Sequence, residues 1–273
     1  MKSISKKIAQ AWTTYRYQSI VRKSSFQHAL EDLPPTLYEH WRTVAPQEFH
    51  GIPTDAIFFV RAAEGLMRFF DCVRYSPHPC ALPSKAADSV WHAWISLPAS
   101  TSRSSDIDEF CRRHFKREIP HLEASAMPVT MNNGLAATLV TARRRGGRDP
   151  AAPSLPALFA LDRSLKMPNG YAYQMRQQGI YLNAMNARGR AMGTNQFMHS
   201  LDPSALLALG FITQSSYEAY EAERLRTQQA ASSGSGCGSS SSCGSSSCDG
   251  GSSFGSSCGG GCGGGCGGGC GGD

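Results

Sequence analysis

"TDAIFFVRAAEGLMRFFDCV", residues 54–73, places apolar side chains at Ile57, Val60, Met67, Phe70 and Val73, and this recurrence decides how the chain is read. Steps of three and seven keep these side chains on one face of a 3.6-residue helix, so the segment predicts a long helix with a buried stripe. Thr54 stands where an N-cap hydroxyl is wanted. Working outward, Pro34 and Pro35 open a helix through "PPTLYEHWRTV", and the prolines of "YSPHPCALP" make that stretch a loop. Ser84 then caps "KAADSVWHAWISL", which Pro98 ends, and Ser105 with Asp108 forms a capping box for "DIDEFCRRHFK". A further helix is expected from Pro128 to about Arg145, and another through "SYEAYEAERLRTQQ". Strand signals are confined to "GYAYQ" and "GIYLNA".

The resulting class is mainly α: a compact multi-helix domain, a smaller mixed or irregular region after it, and a disordered Gly/Ser/Cys-rich C-terminal tail. The divisions fall at 1–25, a basic amphipathic helix; 26–146, the helical domain; 147–154, a linker in "RRRGGRDPAAPSLP"; 155–231, the second region; and 232–273, the tail. From Ser232 onward the chain contains 18 Gly, 14 Ser and 7 Cys, with Phe254 the only large apolar side chain. Such a segment cannot bury enough apolar surface to offset the entropy of ordering it.

The net charge is +6, and Lys2, Lys6, Lys7, Arg16, Arg22 and Lys23 all precede the first acid, Glu31. Basic knots recur at Arg112, Arg113, Lys116 and Arg117, and at Arg143, Arg144, Arg145 and Arg148. Nucleic acid or another anionic surface would suit them, but no recognition motif accompanies the charge, so a solvated helix face is the preferred reading. The longest apolar run, "ALLALGFI" at 205–212, is far shorter than the roughly 18 residues of a membrane span. The N-terminus has a basic start but no continuous apolar stretch, and Ile4, Ile8, Trp12 and Tyr15 recur at helical spacing instead. These features predict a cytoplasmic protein whose first helix docks on its own domain.

Chemistry concentrates in "LPSKAADSVWHAWISLPASTSRSSDIDEFCRRHFKREIPHLEAS", residues 82–125. On a helix, Asp88 and His92 are four apart and share a face; Cys111 and His114 are three apart on the next helix, and His121 lies just beyond its end. Helices joined by a short loop normally pack antiparallel, which would let these groups converge. Asp88, His92, His121 and Cys111 are then candidate ligands for zinc or another transition metal. Alternatively, Asp88 orients His92 as a general base, the cluster forms a polar recognition pocket, or the pair only ties helices together with Cys111 as a small buried residue. Trp91 and His114 are additional candidates.

The order of Asp88, Trp91, His92, Phe110, Cys111 and His121 resembles the N-terminal helical region of the glycine-rich domain-containing protein family over about residues 30–128. That family's pattern runs through Pro-Ser, Val-Asp, Trp-His, Phe-Cys and a later His, and "LPALFALDRSLKMPNG" is similar to its bacterial members. Ile107 stands where the pattern has a tyrosine, and the loop "PASTSRSSD" departs from it. The resemblance implies a helical architecture and a glycine-rich tail rather than a reaction.

In the tail, "CGGGCGGGCGGGC" at 258–270 belongs to a series of thiols at Cys237, Cys243, Cys248, Cys258, Cys262, Cys266 and Cys270. Thiolates are soft ligands for Cu(I) or Zn, but each loop closed through glycine costs chain entropy, so the repeat reads as low-complexity spacer first and ligand second. Two functions stay open. The preferred one is non-enzymatic: a helical interaction protein with a flexible thiol-bearing tail and a protein or peptide partner, since neither CxxC nor HExxH is present. The alternative is a metal-binding protein or metal-dependent hydrolase using Asp88, His92 and His121, which requires His92 and His121 to lie within about 8 Å of each other.

Overall fold

A computed structural model describes residues 2–98, 106–121, 128–176 and 179–233, with side chains from 13 to 230 apart from 128–131. The site and both cores lie within one compact unit, residues 1–230. The expected tail, with its seven thiols, lies almost wholly outside the described residues.

The 54–73 stretch forms α4 (Ala56–Tyr75), and the remaining helices are arranged about it. Asp55, not Thr54, is its cap: the Asp55 carboxylate accepts from the amides of Ile57 and Phe58, both at 3.0 Å. Val60, Met67 and Phe70 are fully buried as the stripe predicts, whereas Ile57 and Val73 are only half-buried. The helix is buried on more than one stripe, because Phe58, Phe59, Leu66 and Phe69 also face neighbours. Those neighbours include α1 (Lys2–Lys23), α2 (Gln27–Glu31), α5 (Lys85–Ile95) and α6 (Ile107–Phe115). Helix α1 rests on the core through Tyr17, Ile20 and Val21, while Tyr15 faces outward; the side chains of Ile4, Ile8 and Trp12 lie outside the described residues.

Helix α3 (Leu37–Glu48) follows the two prolines and packs on α5. Its Trp41 is fully buried and donates to the Ser89 hydroxyl at 3.0 Å, which in turn donates to the Ala86 carbonyl at 2.7 Å. The indole N–H is thereby satisfied inside the core. Ser84 caps α5 as expected, accepting from the Ala87 amide. The cap of α6 is Asp106, which accepts from the amides of Asp108 and Glu109; Ser105, the expected first member of a capping box, lies outside the described residues.

A second core gathers Leu139, Val140, Phe159, Leu201 and Leu206 with one face of a three-stranded antiparallel sheet. Here α7 (Pro128–Arg145) shares the core with β1 (Tyr171–Arg176) and β2 (Gly179–Met185); β3 (Ala191–Phe197), a 3-10 turn (His199–Leu201), α9 (Pro203–Ala208) and α10 (Gln214–Ser233) follow. The first two strands coincide with the expected ones; β3 was not legible, for nearly every residue in it is exposed and no alternation marks it. The register runs Tyr171 opposite Ala184 and Met185 opposite Ala191, with an irregularity between Leu182 and Ala184. The turn into β3 needs glycine: Gly189 has φ +67, and a Cβ there would meet the Lys166 carbonyl.

Short helix α8 (Leu161–Leu165) joins the two cores. A Cβ at Gly65 of α4 would run into the Leu161 side chain, so the glycine admits this close approach. The neighbouring Asp162 is 1% exposed and enters the first turn of α5. It accepts from the Ser84 hydroxyl at 2.6 Å, from the Lys85 and Ala86 amides at 3.0 Å and from the Tyr171 amide at 2.9 Å. Burial raises its pKa while these four hydrogen bonds lower it, with burial prevailing. One carboxyl group thus satisfies orphan amides of α5 and ties that helix to the sheet. It fixes the start of the helix that carries the site.

Candidate metal centre

Helix α5 presents Asp88 and His92 one turn apart, as their spacing predicts. The third member, His121, arrives by a different route from simple antiparallel packing of the two helices. Helix α6 packs on α4, and touches α5 through the rings of Trp94 and Phe110 at 4.7 Å. Lys116 then ends α6 in the left-handed conformation (φ 58), Ile119 anchors the returning chain in the core, and His121 comes to rest against α5.

Asp88, His92 and His121 each offer one ligand atom, and the three atoms lie within 4.8 Å of one another. The Asp88 Oδ1 is 3.5 Å from His92 Nε2 and 3.7 Å from His121 Nε2. The two imidazole rings are 4.8 Å apart, well inside the 8 Å limit set above. Ligands on a tetrahedral ion at about 2.1 Å are separated by roughly 3.4 Å, so the two carboxylate–imidazole spacings are already close to a bound geometry. Side-chain exposures of 33, 31 and 22% for Asp88, His92 and His121 leave the cluster open to solvent.

Each histidine is held from behind. Trp91, 5% exposed and packed on Phe69 and Phe70, sets its ring perpendicular to His121 at 4.6 Å. Glu48, the last residue of α3, places its carboxylate oxygens 2.7 and 2.8 Å from His92 Nδ1. A carboxylate there accepts a hydrogen bond from Nδ1–H, which favours the tautomer with its Nε2 lone pair facing Asp88 and His121, the one that a metal ligand requires. Phe49 adds an edge contact to the His92 ring at 5.9 Å.

Cys111 does not join the cluster. It is 1% exposed within the helical core, and burial, reinforced by Asp108 and Asp106, raises its thiol to about 12, so it packs as a neutral apolar group. His114 also turns elsewhere: its Nε2 pairs with Asp32 at 3.0 Å and its ring lies 4.5 Å from Phe110. Glu48 escaped the sequence reading because it contacts His92 across 44 residues of chain and belongs to no motif.

A family model matches residues 55–195, slightly more than half of the chain. The chain belongs to the UCP032817-like family. The UCP032817-like region spans the whole cluster of Asp88, His92 and His121 as well as Asp162, and begins after Glu48. No curated protein matches the chain, and no solved structure does. The UCP032817-like chain therefore contains a helical domain with a His/His/Asp cluster compatible with a transition-metal ion. Among the described residues no helix is long and apolar enough to cross a membrane.

Proposed function

We propose that this protein binds a divalent transition-metal ion, zinc by the chemistry of its donors, through Asp88, His92 and His121, with Glu48 orienting His92. The observation that carries this reading is the pairing of the two ring nitrogens of His92. One contacts a carboxylate, while the other joins two further donors within 4.8 Å. Two carboxylates beside two imidazoles also supply negative charge where a dication would sit. An isolated surface ion pair would explain one of these contacts but not their combination.

Three protein ligands leave a fourth position for water, the pattern of catalytic rather than structural zinc. The partial exposure of all three side chains supports the same view, and we carry metal-dependent hydrolysis as the finer reading. The likeness to glycine-rich domain-containing proteins remains our proposal on the order of Trp91, His92, Phe110, Cys111 and His121. An interaction role through the tail would instead make the cluster a tie between helices.

Metal content by mass spectrometry distinguishes these readings. The full chain with all seven tail cysteines changed to serine should retain about one equivalent of metal, because the proposed ligands lie in the folded unit. His92→Ala combined with His121→Ala in that background should lose it. Retention by the double variant, or loss on removing the tail thiols alone, would assign the metal elsewhere.

A further inference from the structure

The basic knot at the end of α7 does not simply face solvent. Arg143, Arg145 and Arg148, with Arg68 and Arg74 of α4, line a cavity of about 640 Å³ between α2, α4, α6 and the loop 154–158, where Asp71 is the only acidic lining residue among the described residues. This volume suits a small molecule. None of the metal-cluster side chains lines it.

Two of the five arginines are neutralised by carboxylates. Arg145 binds Asp71 through Nε at 2.6 Å and Nη2 at 3.4 Å, and Arg68 meets Glu64 at 2.7 Å. Arg143 is different: it is 3% exposed, and its contacts are carbonyls, Ser154 from Nε at 3.0 Å and Pro150 from Nη1 at 2.7 Å. Burial lowers its pKa to about 10, which leaves it charged at neutral pH. The acid that acts on it from nearby, Asp149, binds the Ala151 amide and the Ser216 hydroxyl. Arg74 donates to the His114 carbonyl at 3.5 Å and stacks on Tyr75. Among the described residues, neither these two nor Arg148 forms an ion pair.

Cations at a helix C-terminus complement its dipole, which accounts for basic residues in the last turn of α7 but not for burying one without a counter-charge in direct contact, Asp149 acting on Arg143 only from a distance. An anion in the cavity would supply that charge. Apart from His28 and His114, the basic lining residues are all arginines, whose planar fork binds phosphate oxygens in pairs. Phe26, Phe115, Leu155 and Leu158 add apolar surface to the same lining.

We propose that this cavity binds a small organic phosphate, its phosphate held by Arg74, Arg143 and Arg148 and its apolar or planar body lying on Phe26 and Phe115. The site is independent of the metal centre.

Calorimetric titration of the full chain with ADP, ribose 5-phosphate, inorganic phosphate and adenosine tests it. At least one organic phosphate should bind more tightly than inorganic phosphate, adenosine should not bind, and added salt should weaken the interaction. Arg74→Gln and Arg148→Gln, both at accessible positions and checked for an unchanged unfolding transition, should each weaken binding roughly tenfold. The same affinities should hold in the His92→Ala, His121→Ala chain, which removes chelation at the metal cluster. The proposal fails if no phosphate binds at about 5 mM, if adenosine matches ADP, if inorganic phosphate matches both organic ones, if the arginine variants bind like the parent chain, or if binding disappears with the two histidines.

Discussion

Asp162 and Asp88 both meet the first turn of helix α5, one from outside the helix and one as part of it, and they have opposite surroundings. Asp162 is 1% exposed and receives hydrogen bonds from one hydroxyl and three amides. Asp88 has a side chain 33% exposed, and its Oδ1 faces two imidazole nitrogens at 3.5 and 3.7 Å, beyond ordinary hydrogen-bond length. A carboxyl group saturated by fixed donors is a structural cap. One that faces other lone-pair donors, still reachable from solvent, keeps its capacity for a cation. The two are separated by burial and by the kind of neighbour, not by residue type or by sequence spacing.

The sharpest way to break this comparison is to remove each side chain in turn. Asp162→Ala leaves a buried hydroxyl and three amides without their acceptor and should lower stability by about 3 kcal/mol or more in denaturant unfolding. Asp88→Ala, measured without metal, should fall within about 1 kcal/mol of the parent chain because it empties a partly solvated position. Equal losses at the two sites would erase the distinction between cap and ligand.

Next in size is the effect of the ion itself. An ion that binds only the folded chain should stabilise it by about 2.7 kcal/mol at a hundredfold excess over its dissociation constant. Zinc titrated into the chain with serine at the seven tail positions should raise the unfolding midpoint accordingly, and Asp88→Ala should abolish the rise. A rise that survives Asp88→Ala would place the metal away from this carboxylate.

Glu48→Gln is a subtler perturbation. The amide keeps the length of the side chain but no longer provides two charged acceptors for the Nδ1 proton of His92, so zinc affinity should fall tenfold to a hundredfold. Competition with a chromogenic chelator reads the change directly. Unaltered affinity would reduce the Glu48 contact to a surface ion pair.

How much of this arrangement is legible in the sequence follows from how local each part is. The long helix α4, the helix carrying Trp91 and His92, and the Ser84 cap all depend on neighbours within a few residues, and they read correctly from spacing. Caps slip by one position where two acceptors adjoin: Thr54 and Asp55 are both suitable by type, and the extended backbone at Asp55 selects between them. Strand β3 has no inward-facing apolar row to announce it. Glu48 and Asp162 act across 44 and 78 residues of chain respectively, through contacts that no local period encodes. Asp88, His92 and His121 could be nominated from spacing, but the route of His121 depends on the left-handed residue at Lys116, which nothing in its side chain predicts.

The smallest expected effect concerns the proton on Asp162. Its folded pKa lies above the ordinary 3.8 because burial outweighs the four donors, so the folded chain holds this proton more tightly than the unfolded chain does. In the interval from about 3.8 up to the raised folded value, the folded state therefore binds more protons, and this group's contribution to stability declines as pH rises. Asp162→Asn has no proton to lose and should flatten that part of the stability profile, although its overall stability falls because an amide offers one acceptor oxygen to four donors. If Asp162→Asn leaves that part of the profile sloping as in the parent chain, the folded state does not hold this proton more tightly, and burial does not prevail over the four donors at the start of α5.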